Sequence, residues 1–313
     1  MSIFLPTLNQ MCFLMLLILV GYILVRFRIV DDNAAKVLSK LESNVFIPAL
    51  VLSTFMSHFT VEYLHTAGQF VLCGSVVVVA SSVIAIIASK FCTKDRYIQK
   101  IFTYGLAFSN FGFMGNAVVS ALFPDLFLEY LIFLLPFWIL IYIWGVPSLL
   151  IPNDNNDHAL KSRLSALINP MFIAVIVGAV FGLTQLPLPS FIQSSASTLG
   201  DCMSPIAMLL TGMTIAKINL KQVLKIGSIY IVTAIRLVLM PVVTILVLYL
   251  LPVPYPVALC AVCAMAMPLG LNTIVIPAAY GKDTSVASGM ALVSHVLSCI
   301  TIPLVFLLFQ ALQ

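Results

Sequence analysis

Charge is what this chain has least of. Of 313 residues, 15 are Lys or Arg and 11 are Asp or Glu, 8% together, while 62% are hydrophobic. Soluble domains carry about 25% charged and about 45–50% apolar residues. A soluble domain is therefore excluded, and a mean hydropathy of +1.14 agrees. The strict alternation of a membrane barrel is also missing, because runs such as Val71–Ala88 and Ile229–Leu251 are long and nearly unbroken. The class is an all-α polytopic membrane protein. A span takes about 20 residues, so the length accommodates roughly ten, with too little left over for an extramembrane domain.

Other absences narrow the function. No Lys or Arg precedes the first apolar stretch, Ile3–Val25, and no small-residue cleavage pattern follows it, so it reads as a retained first span rather than a secretory signal. Cys12, Cys73, Cys202, Cys260, Cys263 and Cys299 lie in apolar runs and Cys92 sits beside Lys90 and Lys94, a distribution that predicts no disulfides. Cys260 and Cys263 form a CxxC without neighbouring ligands, which reads as core packing. There is no His/Cys/Asp cluster, nucleophile elbow, phosphate loop or nucleotide-binding domain, so neither a membrane enzyme nor an ATP-driven pump is expected, and no metal or cofactor.

What the sequence does contain is a regular series of spans. Helices are predicted near 3–25, 34–57, 66–89, 101–122, 127–150, 167–185, 190–215, 227–251, 256–280 and 285–311. Basic residues orient them, since these stay in cytoplasmic loops. Arg26, Arg28, Lys36 and Lys40 follow helix one, Lys90, Lys94, Arg96 and Lys100 helix three, and Lys161 and Arg163 helix five. Lys217, Lys221 and Lys225 follow helix seven and Lys282 helix nine, whereas the loops after helices two, four, six and eight have none. Both termini are then extracytoplasmic, in a multi-pass protein of the plasma or inner membrane. The net charge of +4 is accounted for by this rule and by anionic headgroups, without a nucleic-acid partner.

Five helices per half would put the second half into the bilayer upside down relative to the first. A shift of 157 residues sets Val20-Gly21 on Val177-Gly178, Pro48 on Pro205, Thr54 on Thr211 and a buried polar pair, Asn44, on Asp201. A shift of 158 sets Gly112 on Gly270, Ala121 on Ala279 and Asp125 on Asp283. The expected organisation is a first five-helix repeat over 1–150, a short cytoplasmic loop over 151–166 and a second, inverted repeat over 167–313.

Two helices should be interrupted. Helix four reads Phe108-Ser109-Asn110-Phe111-Gly112-Phe113-Met114-Gly115-Asn116, and helix nine reads Met267-Pro268-Leu269-Gly270-Leu271-Asn272-Thr273. Proline removes a backbone hydrogen bond and clashes with the preceding turn, and glycine eases unwinding. Irregular backbone at this depth must be buried or line a cavity. If the breaks cross, each presents the N-terminus of its second half, about +0.5 charge each with free N–H groups, to one point suited to a small anion. Neither break contains Lys, Arg, Asp or Glu. The expected substrate-binding residues are Asn110, Gly112, Gly115, Asn116, Pro268, Gly270, Asn272 and Thr273. A close contact of small residues is the bland alternative.

Ser109-Asn110 through Met114-Gly115, Pro268-Leu269-Gly270, Asn169-Pro170, Leu199-Gly200-Asp201 with Pro205, and Arg236 before Pro241 together resemble the auxin efflux carrier family. The short loop between helices five and six is similar to the bacterial malate or malonate permease-like members. The resemblance implies ten helices in two inverted repeats and a crossover of helices four and nine. It also implies an elevator motion of a transport domain (helices 3–5 and 8–10) against a scaffold (helices 1, 2, 6 and 7), and a homodimer through that scaffold. Ser109 stands where plant members carry proline, which argues against auxin itself as cargo.

Four further polar residues are coupling or gating candidates. Arg236 lies near the midplane of helix eight, where a charge costs about 2.5–3.5 kcal/mol and needs a partner. Asp201, a broken-helix carbonyl and the substrate are the options. Asp201 and its counterpart Asn44 are candidates for a coupling proton or for tying scaffold to transport domain. His295, midway along helix ten, titrates in a useful range. Glu42 is expected near the cytoplasmic end of helix two, within reach of lysines. The favoured function is a secondary carrier of a small organic anion, coupled to protons, sodium or neither. A sodium-coupled symporter using amide and backbone oxygens is the alternative, and a cation/proton antiporter is disfavoured because helix five lacks midplane carboxylates.

Overall fold

The computed structural model describes residues 3–31, 33–151, 167–186, 188–217 and 223–312. The expected loop 151–166, with Lys161 and Arg163, lies outside the described residues except for its first position, and so does Lys221. Among the described residues the chain is helical throughout and contains no strand.

Helix α1 (Phe4–Arg26) is followed by α2 (Ala34–Leu41), which runs through a π turn, Glu42–Phe46, into α3 (Ile47–His58). Next come α4 (Val61–Cys92), α5 (Arg96–Ala107), a π turn Phe111–Gly115 leading into α6 (Asn116–Leu122), and α7 (Phe127–Leu140) with a π extension Ile141–Leu150. The rest comprises α8 (Pro170–Thr184), α9 (Ser190–Asp201), α10 (Met203–Ala216), α11 (Gly227–Ala234) joined by the π turn Ile235–Leu239 to α12 (Met240–Leu250), α13 (Tyr255–Ala266), α14 (Asn272–Ala279) and α15 (Ser285–Leu312). Among the described residues, six stretches are long and apolar enough to cross a membrane: Phe4–Arg26, Val61–Cys92, Pro124–Leu150, Ser190–Ala216, Gly227–Leu250 and Ser285–Leu312. Shorter apolar helices accompany them, among them Pro170–Thr184 and Tyr255–Ala266.

Local chemistry explains the boundaries. Asp95 accepts from the N–H groups of Tyr97 and Ile98 and starts α5 at Arg96, five residues before the apolar run that predicted it. Asn169 caps α8 in the same way ahead of Pro170. The π turns at Glu42–Phe46 and Ile235–Leu239 end one residue short of the residue preceding Pro48 and Pro241, and a third contains Pro147. A π turn lets the chain pass a residue that has no N–H to give and whose ring crowds the carbonyl four places back. Where α14 turns back toward α15, Asp283 accepts from the Ser285 hydroxyl and N–H, which hold its carboxyl below its ordinary range. The Tyr97 hydroxyl donates to the Asp283 carbonyl at 2.8 Å and ties this turn to the start of α5.

Packing proceeds through missing side chains. A Cβ on Gly21 would sit 2.1 Å from the Leu209 carbonyl oxygen, and one on Gly212 would sit 1.9 Å from that of Ile18, so α1 and α10 touch backbone to backbone. Gly178 meets Phe55 and Leu52, and Gly182 meets the carbonyls of Phe55 and Phe59, joining α8 to α3. Such contacts replace the hydrophobic drive that lipid cannot supply. The apolar outside is real: Leu16 and Leu19 on α1 and Leu72, Val76, Val79 and Val83 on α4 are exposed. By contrast α13 is enclosed on every side, with Val257 through Ala266 all buried, and α5 is buried from Ile101 to Ala107.

One expectation is corrected. Asn44 and Asp201 are not a buried pair: both are exposed in the chain, and Asn44 donates only to the Lys40 carbonyl of its own helix. Asn44 lies two residues from the buried Glu42 and Asp201 one residue from Gly200, which packs on Leu50, so each falls off the buried face of its own helix.

Gly212→Ala should lower stability by about 1–3 kcal/mol, the range for overpacking, because backbone atoms must move. Gly68→Ala, with no atom within 4 Å of the added carbon, should leave it unchanged or raise it slightly. Thermal unfolding of the two purified variants compares them directly.

Candidate functional site

The helical run from Arg96 stops at Ala107 and resumes at Phe111; that from Tyr255 stops at Ala266 and resumes at Asn272. The two gaps meet. Ser109 and Leu269 form an antiparallel bridge, and the Asn110 N–H donates to the Pro268 carbonyl at 2.7 Å. Side chains reinforce the crossing: the Ser109 hydroxyl donates to the Ala264 carbonyl at 2.7 Å, and the Leu269 N–H donates to the Ser294 hydroxyl at 3.2 Å.

Two unlike ends face away from this crossing. On one side lie the last carbonyls of α5 and α13, and Arg236 takes them. Fully buried in its π turn, it donates from Nε to Met267 (3.1 Å), from one terminal nitrogen to Leu106 (2.9 Å) and from the other to Ala264 (3.1 Å) and Met265 (3.2 Å). Two helix C-termini, about −0.5 each, face one guanidinium, which satisfies their carbonyls and is attracted to both ends. Of the partners open to Arg236, the broken-helix carbonyls are the ones it has. No carboxylate pairs with it among the described residues.

On the other side are the starts of the second halves. The Asn110 carbonyl accepts from Met114 and Gly115, and the Gly270 carbonyl accepts from the Thr273 N–H (3.3 Å) and hydroxyl (2.8 Å). The opening N–H groups of each half, which a helix cannot pair internally, belong to Phe111, Gly112 and Phe113 and to Leu271 and Asn272. All five residues line a cleft of about 20 Å³ together with Tyr104, Ser109, Asn110, Trp138, Ile141 and Gly270. That is room for one water. The cleft shares Phe113, Ile141, Leu271 and Asn272 with a chamber of about 230 Å³ that reaches Ser39, Ser43 and Leu210. This chamber in turn shares Ser39, Leu210 and Val275 with a cavity of about 730 Å³ whose wall carries Lys36, Lys40 and Lys217.

The anticipated residues are thus dispersed in role. Asn110, Gly112, Gly270 and Asn272 line the cleft, and the Asn272 amide donates to the Tyr104 hydroxyl at 3.0 Å. Gly115 leaves room for the Tyr130 hydroxyl, which donates to the Phe111 carbonyl. Pro268 and Thr273 are buried in the crossing. Asn116 is buried beside it with its Oδ1 unpartnered. His295 reaches the crossing from α15, its Nε2 2.9 Å from the Asn110 amide nitrogen. Asn44 and Asp201 are away from it; Asp201 lines a separate polar groove with Thr54, Ser57 and His58. Glu42 pairs with no lysine: it is fully buried with both carboxyl oxygens unpartnered. Tyr104, Trp138 and Ser294 were not anticipated. Tyr104 sits about a turn before the first break in an otherwise apolar run, which was the available signal; Trp138 and Ser294 are far along the chain from both breaks and gave none.

A multi-pass helical protein with an uncharged polar cleft at crossed, interrupted helices belongs to the class of membrane transporters. The comparison with family profiles agrees: residues 6–163 and 156–306 match the family described as membrane transport protein, which is of the auxin efflux carrier type. The chain belongs to this family and is a membrane transporter. Comparison with curated proteins gives no match.

Arg236→Met leaves the Leu106, Met265 and Met267 carbonyls without the donor they have, while Ala264 keeps the Ser109 hydroxyl, and should cost about 3–5 kcal/mol, the range for unmaking a buried charged network. Arg236→Lys keeps the charge but not the fork and should fall between the two. Melting of the detergent-purified variants ranks them; equal melting of Arg236→Met and the parent would remove the anchoring role.

Proposed function

We propose that the protein is a secondary carrier of small organic anions, mono- or dicarboxylates of the size of malate or malonate, which bind at the crossing of the two breaks. The observation that carries this reading is electrostatic. The C-terminal dipole ends are neutralised by Arg236, whereas the N-terminal ends, about +0.5 each, converge with free N–H groups on a cleft that no Asp or Glu lines. The cleft has room for one carboxylate oxygen at the N–H groups, and the adjoining chamber of about 230 Å³ accommodates the rest of a three- or four-carbon acid.

The reading includes ten spans in two inverted repeats, an elevator motion of helices 3–5 and 8–10 against helices 1, 2, 6 and 7, a homodimer through that scaffold, and both termini extracytoplasmic. Paired contacts support the repeat. Gly21 rests on Leu209 and Gly178 on Leu52, and each member of the first pair lies 157 residues from a member of the second. At the crossing, Asn110 bonds Pro268, its own counterpart at a shift of 158. The three cavities follow one another through shared lining residues, and the outermost is lined by Lys36, Lys40 and Lys217, the residues read as marking the cytoplasmic side, which supports a conformation accessible from the cytoplasm. Sodium coupling is the second reading, favoured by the unpartnered Oδ1 of Asn116, a hard oxygen donor buried beside the crossing.

Proteoliposomes given labelled malate, malonate, lactate, a 2-oxo acid and an indole acid, with pH and sodium varied separately, should show saturable uptake of at least one carboxylate. Asn110→Ala and Gly270→Val should each reduce it about tenfold or more. No uptake of any carboxylate under any imposed gradient would sink the proposal; uptake indifferent to sodium would remove the second reading.

A further inference from the structure

The contact between Asn110 and His295 has a polarity that can be read atom by atom. The His295 ring is fully buried. Its Nδ1 lies 2.7 Å from the Ala291 carbonyl, which only accepts, so Nδ1 carries a hydrogen. In the neutral ring Nε2 is then a bare lone pair, and it accepts from the Asn110 amide at 2.9 Å. The Asn110 amide nitrogen faces the ring, so its Oδ1 faces away from it. That oxygen takes no hydrogen bond from the described residues, and Asn110 lines the cleft.

A proton added to Nε2 makes both ring nitrogens donors, and Nε2–H then opposes the amide N–H. The conflict is relieved by half a turn of the amide about its terminal torsion, which is broad and roughly two-fold. The backbone of Asn110 stays fixed, because its N–H is held by Pro268 and its carbonyl by Met114 and Gly115. Oδ1 now accepts from the imidazolium, and the two amide hydrogens take its former place at the cleft.

We infer that His295 and Asn110 form a proton-operated amide switch that couples binding of one proton to binding of one carboxylate; this rests on the carrier function proposed above. With the ring neutral, the cleft meets a carbonyl oxygen, which repels a carboxylate. With the ring protonated, it meets two N–H donors backed by a positive charge, and the bound anion compensates that charge in the low-dielectric centre. No bond is made or broken other than that of the proton to Nε2, and the proton leaves when the anion does.

Other groups leave the switch to itself. On the described elements packed against α15, the titratable and charged side chains are Cys12, Tyr22 and Arg26 of α1, Arg96, Tyr97, Lys100 and Tyr104 of α5, Tyr230 of α11, Arg236 of the following π turn, Tyr249 of α12, and Tyr255, Cys260 and Cys263 of α13, with Cys299 on α15 itself. None is a carboxylate and none hydrogen-bonds the ring. Arg236 is engaged by carbonyls, Tyr104 accepts from Asn272, and Cys299 donates to the His295 carbonyl.

The test is proton uptake on malonate binding. Purified protein in weakly buffered detergent with a pH-indicator dye should take up about one proton per malonate bound, and the apparent Kd should fall about tenfold per pH unit of acidification above neutrality, the slope for one linked proton. The His295→Gln protein should bind more weakly and take up none. Malonate binding without proton uptake, or uptake unchanged in His295→Gln, overturns the switch. Failure of every tested carboxylate to bind or be transported overturns the carrier reading instead. In that event, and if His295→Gln does not fold, nitrogen NMR of the 15N-histidine-labelled parent decides. Acidification should convert one ring from an acceptor Nε2 to a protonated one with a concurrent shift of an Asn side-chain amide labelled alongside it; a ring that keeps a bare Nε2 until the protein unfolds overturns the switch.

Discussion

The interior of this protein depends on one guanidinium. Interrupting a helix in hydrocarbon strands carbonyls that water cannot reach, each at a cost of several kcal/mol, and the chain does so twice at the same place. Arg236 gathers four of those carbonyls from both interrupted helices. A lysine would offer the charge but not the fork, and an amide would offer fewer donors and no charge. With the carbonyl ends satisfied, the opposite ends are free to remain unsatisfied, and those are the groups that face the cleft. Stability and ligand affinity are thus separated in space: the negative ends are consumed by the fold, and the positive ends are left for a solute.

The same division runs through the whole molecule. Gly21, Gly178, Gly182 and Gly212 lock α1, α3, α8 and α10 together through backbone contact, and the outer faces of α1 and α4 carry large apolar side chains for lipid. The interrupted helices α5 and α13 are shielded from lipid by their neighbours, as irregular backbone must be.

Much of this was legible from residue types. Gly, Asn and Pro inside two apolar runs located the breaks to within a few residues, and a lone arginine in an apolar helix announced a buried partner. What was not legible depended on geometry across long separations. The sequence favoured an anchoring role for Arg236 but left its partner open between an aspartate, a carbonyl and a ligand, and only the placement of α5 and α13 selects the carbonyls. Asn44 and Asp201 read as buried because they sit in apolar surroundings, but the buried face of each helix is taken by a close neighbour, Glu42 in one and Gly200 in the other. Glu42, expected within reach of lysines and given no role, is buried in the π turn with both carboxyl oxygens unpartnered, which no local pattern indicates. Ser294 and Tyr104 matter through partners 25 and 168 residues away, which no local pattern encodes.

Arg236 has one more consequence. Carbonyl dipoles satisfy its hydrogen bonds but do not cancel its formal charge, so the unit built around the crossing carries a fixed positive charge. In the elevator motion proposed above that charge would travel with the site through the membrane field, at about 2.3 kcal/mol per 100 mV for a full crossing. A bound dianion, loaded together with the one proton on His295, would cancel it. The loaded stroke would then be indifferent to voltage, while the return of the empty carrier would be driven or opposed by the membrane potential, making the unloaded half of the cycle the electrically sensitive one.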